Sequence, residues 1–227
     1  MASTEEQHGS RPGVLFDVDG TLVDTNYLHT LAWSRAFAEV GEWAPMKAIH
    51  RHIGMGGDQL VPDVLGHDCP EAHEARERHY RELMGEAKVF PGARELLRRL
   101  HDDGLTVVLA SSAPGSELEA MMDLLDAGDA IDATTSSSDA DRSKPAPDIF
   151  QAAMRAGNVD RERALVVGDS VWDVQAARAA GLACVGVESG GFSVHELADA
   201  GALHTYRDVQ EMLDQVRTSP LAVILPH

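Results

Sequence analysis

Two carboxylates stand two residues apart in Asp17-Val18-Asp19-Gly20-Thr21, directly after the apolar run Val14-Leu15-Phe16. A carboxylate with an ordinary pKa of about 3.9 is ionised at neutral pH and needs no base to become a nucleophile. Asp17 is therefore suited to attack phosphorus directly and form an aspartyl-phosphate. Its obstacle is repulsion from a phosphate that is also negative, so a hard cation must sit between them. Mg²⁺ meets that need, because it prefers oxygen ligands and is usually held by one or two carboxylates, substrate phosphate and water. Asp17 and Asp169 are the candidate metal carboxylates. Asp173, one helical turn past Asp169, shares its face and would act through water or behind the ligands; the plainer reading is a first-turn helix carboxylate. Asp19 is a second carboxyl placed where it could protonate a leaving oxygen and later deprotonate an attacking water. Lys144 is a compact positive charge able to bind a phosphoryl oxygen and hold the nucleophile. Ser111 and the backbone amides of Gly20 and Ser112 suit the other phosphate oxygens. Thr21 either tethers this loop by hydrogen bond or is structural.

These residues need a scaffold that brings them together. Short apolar runs alternate with amphipathic helical stretches, the pattern of an α/β fold with a mainly parallel sheet. The runs are 14–16, 105–110, 131–135, 164–167 and 182–187, rich in β-branched residues, as strands covered on both faces should be. Three of them end at chemistry-bearing residues: Phe16 meets Asp17, Ala110 meets Ser111, and Gly168 meets Asp169. In open parallel sheets, ligands bind beyond the carboxyl ends of the strands. Helices are expected over 94–101, stopped by Gly104, from a Ser116/Glu119 capping box to Asp126, and over 148–156, 171–180 and 207–216. An apolar end at 221–225 should pack on the body. Residues 24–88 break the alternation with four helical stretches, 28–40, 45–53, 59–65 and 71–85, and no convincing strand. That is far more than a crossover needs. The expected organisation is a mobile tail at 1–11, a catalytic core at 12–23 and 89–227, and a helical cap at 24–88.

The whole chain has 227 residues, 44% hydrophobic and 25% charged, which excludes disordered and disulfide-scaffold classes. Its 37 acidic residues against 19 basic ones leave a net charge of −18. That balance argues against broad affinity for nucleic acid or anionic membrane, so an anionic substrate must be attracted locally. Two cysteines exclude a disulfide framework, and Cys184, inside an apolar run, should be inert. No apolar stretch reaches the length of a membrane span. A cytoplasmic monomer is the default expectation. The 11 histidines show no zinc-like spacing.

Any one of these residues alone is an ordinary turn residue or cap; the ordered set is not. Asp17 to Asp24 read as DxDGT and its continuation, then Ser111, then Lys144-Pro145, then Gly168-Asp169-Ser170 with Asp173, resemble the four ordered motifs of the haloacid dehalogenase-like phosphatase superfamily. The inserted helices are similar to the cap of the branch that holds β-phosphoglucomutase and phosphoglycolate phosphatase. The resemblance implies a Rossmann-like core with an α-helical cap and Mg²⁺-dependent hydrolysis of a small phosphorylated metabolite. It also implies the backbone carbonyl of Asp19 as a third metal ligand and the Asp19 carboxyl as general acid/base. Dehalogenases and P-type pumps of this superfamily lack an Asp at position 19. Two other readings stand beside the phosphatase: a sugar-phosphate mutase, and a non-catalytic phospholigand-binding protein, for which loss of Asp19 or Asp169 would be expected. The mutases of the branch resemble one another in a Ser-Arg pair where this chain has Gly56-Gly57, and in a Lys-Asn that Ser111-Ser112-Ala113-Pro114 lacks. Both departures favour hydrolysis, although Lys47, Arg51 or His52 could still grip a second phosphate. In the loop from His50 to Gln59, Arg51 and His52 are the candidate substrate contacts, or simply a solvated helix face. Trp33, Trp43 and Trp172 are expected in core or hinge packing.

Overall fold

The computed structural model of the protein describes residues 11–225. The expected tail lies outside these residues except for Arg11, which opens the first strand. In chain order the elements are β1 (Arg11–Phe16), β2 (Val23–Asp24), α1 (Asn26–Glu39), α2 (Met46–His52), α3 (Gly57–Leu65), α4 (Pro70–Leu83) and β3 (Lys88–Val89). Then come α5 (Ala93–Asp102), β4 (Thr106–Ala110), α6 (Gly115–Leu125), β5 (Ala133–Thr135), α7 (Asp148–Gly157) and β6 (Val159–Gly168). The chain closes with α8 (Val171–Ala179), β7 (Ala183–Val187), α9 (Val194–Ala200), β8 (His204–Tyr206) and α10 (Val209–Asp214).

Six strands form a parallel sheet in the order β5-β4-β1-β6-β7-β8. Side chains alternate between its two faces, as the two-residue period of a strand requires. Val14, Phe16, Val107, Leu109, Leu165 and Val167 pack on one side with Leu96, Leu97 and Leu100 of α5, Met121 of α6 and Met212 of α10. Leu15, Val108, Ala110 and Val166 face the other way, onto Ile149 and Phe150 of α7, Val174 of α8 and Leu197 of α9. Both faces are covered, which accounts for the unbroken apolar runs. The register puts Phe16 beside both Leu109 and Val167, so the three chemistry-bearing strands end level with one another.

Between β2 and β3 the chain is entirely helical apart from loops and a short bridge, and these two strands pair antiparallel, Val23 opposite Val89 and Asp24 opposite Lys88. The outgoing and returning chains thus run side by side. Helix α1 packs mainly on α4, and Trp33, Phe37, Ile49, Leu60 and Val61 form a core separate from that of the sheet.

Several local expectations are revised. Helix α6 starts after Pro114, whose extended backbone makes the turn, and no side chain caps it; Ser116 and Glu119 sit inside the helix. The run 131–135 becomes a strand only at Ala133, after a 3₁₀ turn at Gly128–Ala130. The last helix is short because Asp208 caps it at Glu211 and a 3₁₀ turn follows at Val216–Thr218. Leu221 and Ile224 do pack into the sheet core. Helix α9 and edge strand β8 were not foreseen, since each buries only one side chain fully. Trp43 is 79% exposed, contrary to a packing role, whereas Trp33 is buried. Among the described residues, no helix is long and apolar enough to cross a membrane.

Candidate active site

The ends of β1 and β6 place Asp17 and Asp169 side by side, and the Asp17 N–H donates to the carbonyl of Val167 at 2.9 Å. A carboxylate oxygen of each, and one of Asp173 from the first turn of α8, all lie within 4.8 Å of one another. Lys144 Nζ reaches Asp17 Oδ1 at 2.6 Å and Asp173 Oδ1 at 2.7 Å, with its side chain wholly buried. The other oxygen of Asp173 accepts from the backbone N–H of Ser170 at 3.1 Å and from its hydroxyl at 2.5 Å. Both oxygens of Asp173 are therefore engaged by the protein. Asp169 accepts from Thr21 Oγ1 at 3.0 Å and from Asn26 Nδ2 at 2.8 Å. The loop can close this tightly because residue 20 is glycine at φ +76°; a side chain there would run into Asn26 and come within 2.6 Å of Asp169 Oδ2.

Three buried carboxylates face one ammonium, which leaves two uncompensated negative charges. The cost is visible in their acidities. Burial pushes the Asp17 carboxyl well above the ordinary range; Lys144 opposes this, and the charges of Asp173, Asp169 and Asp19 add to it. Asp169 is pushed up to about 7, by burial first and then by the charge of Asp173. Lys144 moves the other way: burial disfavours its charge, but Asp17 and Asp173 outweigh that and hold it protonated. An all-oxygen donor set with a deficit of two positive charges fits a hard divalent cation.

Asp19 points to a different set of partners. Its Oδ1 accepts from Thr25 Oγ1 at 2.6 Å and lies 2.8 Å from His29 Nε2, and its Oδ2 lies 3.4 Å from the Ser111 hydroxyl. His29 Nδ1 in turn contacts Arg76 Nη2 at 2.5 Å. A guanidinium only donates, so Nδ1 accepts and the ring proton sits on Nε2, aimed at Asp19. Arg76 completes the chain with a two-pronged pair to Glu117, Nη1 to Oε1 at 2.5 Å and Nη2 to Oε2 at 3.1 Å. Burial favours a neutral Asp19, but it is outweighed by the hydrogen bond from the His29 Nε2–H, by the Thr25 hydroxyl and by the nearby positive charge of Arg76. The carboxyl is lowered to about 2. Asp17 and Asp19 both line a cavity of about 440 Å³ between the sheet and the helical segment, within the size range of small-molecule sites.

A family model for haloacid dehalogenase-like hydrolases matches residues 12–181. The chain belongs to that family. It is a hydrolase by that family, and several of its curated relatives are named phosphoglycolate phosphatase. A phosphoglycolate phosphatase from Pseudomonas savastanoi pv. phaseolicola is 29% identical over 224 residues, 94% of this chain and 82% of that one. A hydrolase from Pseudomonas syringae superposes with a TM-score of 0.86 at 31% identity, covering 92% of this chain and 99% of the other. The CbbY protein of Rhodobacter sphaeroides, crystallised with xylulose-(1,5)bisphosphate, gives a TM-score of 0.75 at 28% identity, over 89% of this chain and 96% of its own.

In this haloacid dehalogenase-like hydrolase, the helical segment touches the loops that carry the motifs. Gln59 Nε2 donates to the Ser143 carbonyl at 2.9 Å and lies 2.8 Å from its hydroxyl, which donates to Asp58 Oδ1 at 2.7 Å. Ser143 immediately precedes Lys144. Trp172 Nε1 donates to the Arg51 carbonyl at 3.1 Å, beside Asp173 in sequence, so Trp172 sits in the packing between helices and sheet. Ser111 is fully buried, its hydroxyl accepting from the Ala113 N–H at 3.0 Å, and Ser112 lines the cavity. Thr21 does tether the loop. Arg51 and His52, the candidate substrate contacts of the loop, are not among the residues that line this cavity. Arg51 pairs with Glu196 at 2.5 Å and lies over the Phe192 ring, and His52 bonds the Ala48 carbonyl at 2.8 Å and stacks near Trp172. Their position at the end of α2 turns them toward α8 and α9 and away from the cavity. The residues missed were His29, Arg76 and Glu117. They lie on three different helices, and no sequence spacing links them.

Proposed function

We propose that this enzyme is a Mg²⁺-dependent phosphomonoesterase of the phosphoglycolate phosphatase type, acting on a small phosphorylated metabolite through an aspartyl-phosphate on Asp17. The observation that carries the reading is the buried trio Asp17, Asp169 and Asp173, with a single ammonium bridging Asp17 and Asp173. Asp17 and Asp169 would hold the ion, with the Asp19 backbone carbonyl as the resemblance implies. Asp173, with both oxygens occupied, serves as the anchor for Lys144. When bound, Mg²⁺ supplies the positive charge that lets an anionic carboxylate approach an anionic phosphate.

An Asp17 oxygen attacks phosphorus as the bond to the leaving oxygen breaks, and that oxygen takes a proton from Asp19. Lys144, the Ser111 hydroxyl and the amides of Gly20 and Ser112 hold the phosphoryl oxygens. In the second half, ionised Asp19 removes a proton from water as the water oxygen attacks phosphorus, which releases phosphate and regenerates Asp17. The lowered pKa of Asp19 keeps the carboxyl ionised, the state in which the second role begins. An arriving phosphate, by its own negative charge, raises the carboxyl toward the protonated form that the first role needs.

The helices from 24 to 88 act as the cap that closes over the cavity and excludes water. A mutase would have to hold a second phosphate there, and the one guanidinium among the described cavity-lining residues is already paired with Glu117. That favours transfer to water. The test is release of inorganic phosphate from an aryl phosphate with Mg²⁺ or with EDTA, for the parent protein and Asp17→Asn. Loss of about 10³-fold or more is expected in the variant. Near-parental turnover would remove Asp17 as the nucleophile.

A further inference from the structure

Each oxygen of Asp169 is held by one donor. Thr21 Oγ1 donates to Oδ1 at 3.0 Å and Asn26 Nδ2 donates to Oδ2 at 2.8 Å, which leaves lone pairs on both oxygens for an ion. Asn26 is the first residue of α1 and is buried. Its amide nitrogen also donates to the Gly190 carbonyl at 3.2 Å. Both partners are acceptors, so the network fixes which end of the amide faces Asp169. Gly190 ends a 3₁₀ turn, Glu188–Gly190, between β7 and α9. The Ser189 hydroxyl ties that turn to the nucleophile loop by donating to the Gly20 carbonyl at 2.6 Å.

The turn also stands directly against Asp169. A Cβ at position 190 would fall 1.6 Å from Asp169 Oδ2, 2.4 Å from its Cγ and 2.7 Å from Asn26 Nδ2. Gly191 has a left-handed backbone at φ +92°, but Gly190 does not, so space and not conformation demands a glycine at 190. The carboxylate has little room to give way, because Thr21 and Asn26 hold its oxygens and Gly20 backs onto the same Oδ2. Burial and the charge of Asp173 drive Asp169 toward its neutral form, and the hydrogen bonds from Asn26 and then Thr21 oppose them. Asn26 therefore favours the ionised carboxylate, the form that binds a cation.

We propose that Asn26 and Gly190 are positioning residues of the cation site. The Gly190 carbonyl aims the Asn26 amide, the amide aims Asp169 Oδ2, and the missing side chain at 190 leaves the carboxylate the room it occupies. This deepens the Mg²⁺-dependent reading and rests on it; neither residue belongs to the four motifs. Partners that hold a ligating carboxylate are worth about 10–100-fold in metal affinity.

The experiment measures the Mg²⁺ dissociation constant of the full chain by isothermal titration calorimetry at pH 8. Asn26→Ala and Gly190→Ala should each weaken binding by about tenfold or more. Gly128→Ala, at another 3₁₀ turn where a Cβ meets nothing within 4 Å, should bind as the parent does. A merely structural role would lower Tm in EDTA and leave the dissociation constant in place. Asn26→Ala that binds Mg²⁺ as tightly as the parent overturns the proposal, and so does a folded Gly190→Ala that does so. If Gly190→Ala does not fold, Asn26→Ala, which only shortens a side chain, decides the matter. A parent protein that binds no Mg²⁺ would instead sink the Mg²⁺-dependent reading, and this inference with it.

Discussion

Thermal stability measured against pH, with and without Mg²⁺, distinguishes a cation site from an ordinary acidic cluster. The perturbation is removal of the divalent ion by EDTA. Without it, Asp169 in the folded chain titrates at about 7, against 3.8 for the group in the open chain, because burial and the neighbouring Asp173 disfavour its charge. A carboxyl whose folded pKa is raised contributes stability that is fully present below about pH 4 and is lost as pH rises through about 7. At 1.36 kcal/mol per pH unit the gap sets a ceiling of about 4 kcal/mol on that loss. Asp17 is raised in the same direction, mainly by burial, so its protonation works with that of Asp169. Mg²⁺ takes the place of the protons, so its stabilising effect should be small at pH 5 and large at pH 8. For a chain of this size each kcal/mol moves Tm by about 2–4 °C, and half the ceiling corresponds to roughly 5 °C. The assay is differential scanning fluorimetry at matched ionic strength, since a chain with net charge −18 also responds to salt. Asp169→Asn should abolish most of the Mg²⁺-dependent shift. A shift that is equal at pH 5 and pH 8, or that survives intact in that variant, refutes the reasoning.

Two further outcomes follow from the same geometry. Asp19→Asn should slow turnover of an alkyl phosphate by about 10² while keeping the Mg²⁺-dependent Tm shift, because its side chain faces Thr25 and His29 and not the metal carboxylates; near-normal turnover would reject its acid/base role. Gln59→Ala removes two contacts between α3 and Ser143, worth about 1 kcal/mol each, and should raise KM by about tenfold; steady-state kinetics showing an unchanged KM would mean that this clamp does not hold the helical segment closed over substrate.

Much of the catalytic core was legible in the linear chain. Strands buried on both faces must be continuous apolar runs, so 14–16, 105–110 and 164–167 announced themselves, and the polar residue that ends each run has to lie at the carboxyl edge of a parallel sheet. Asp17, Ser111 and Asp169 do stand at the ends of β1, β4 and β6, and Lys144, singled out by its motif, reaches Asp17 there. The excess helical length between Asp24 and Lys88 showed an insertion for the same kind of reason, since no crossover needs it. Tertiary structure alone decided the rest. His29, Arg76 and Glu117 meet only because α1 and α4 pack on each other and α4 approaches α6, and a lone charged residue on each of three amphipathic helices looks like a solvated face. Arg51 and His52 looked like substrate contacts because they flank a glycine loop, yet a helix end can turn its side chains to either side, and which side is set by the elements packed around it. Trp43 met water for the same reason. Periodicity encodes which face of an element is buried, and not which distant element it is buried against. Chemistry carried by one loop was therefore readable, and chemistry assembled across three helices was not.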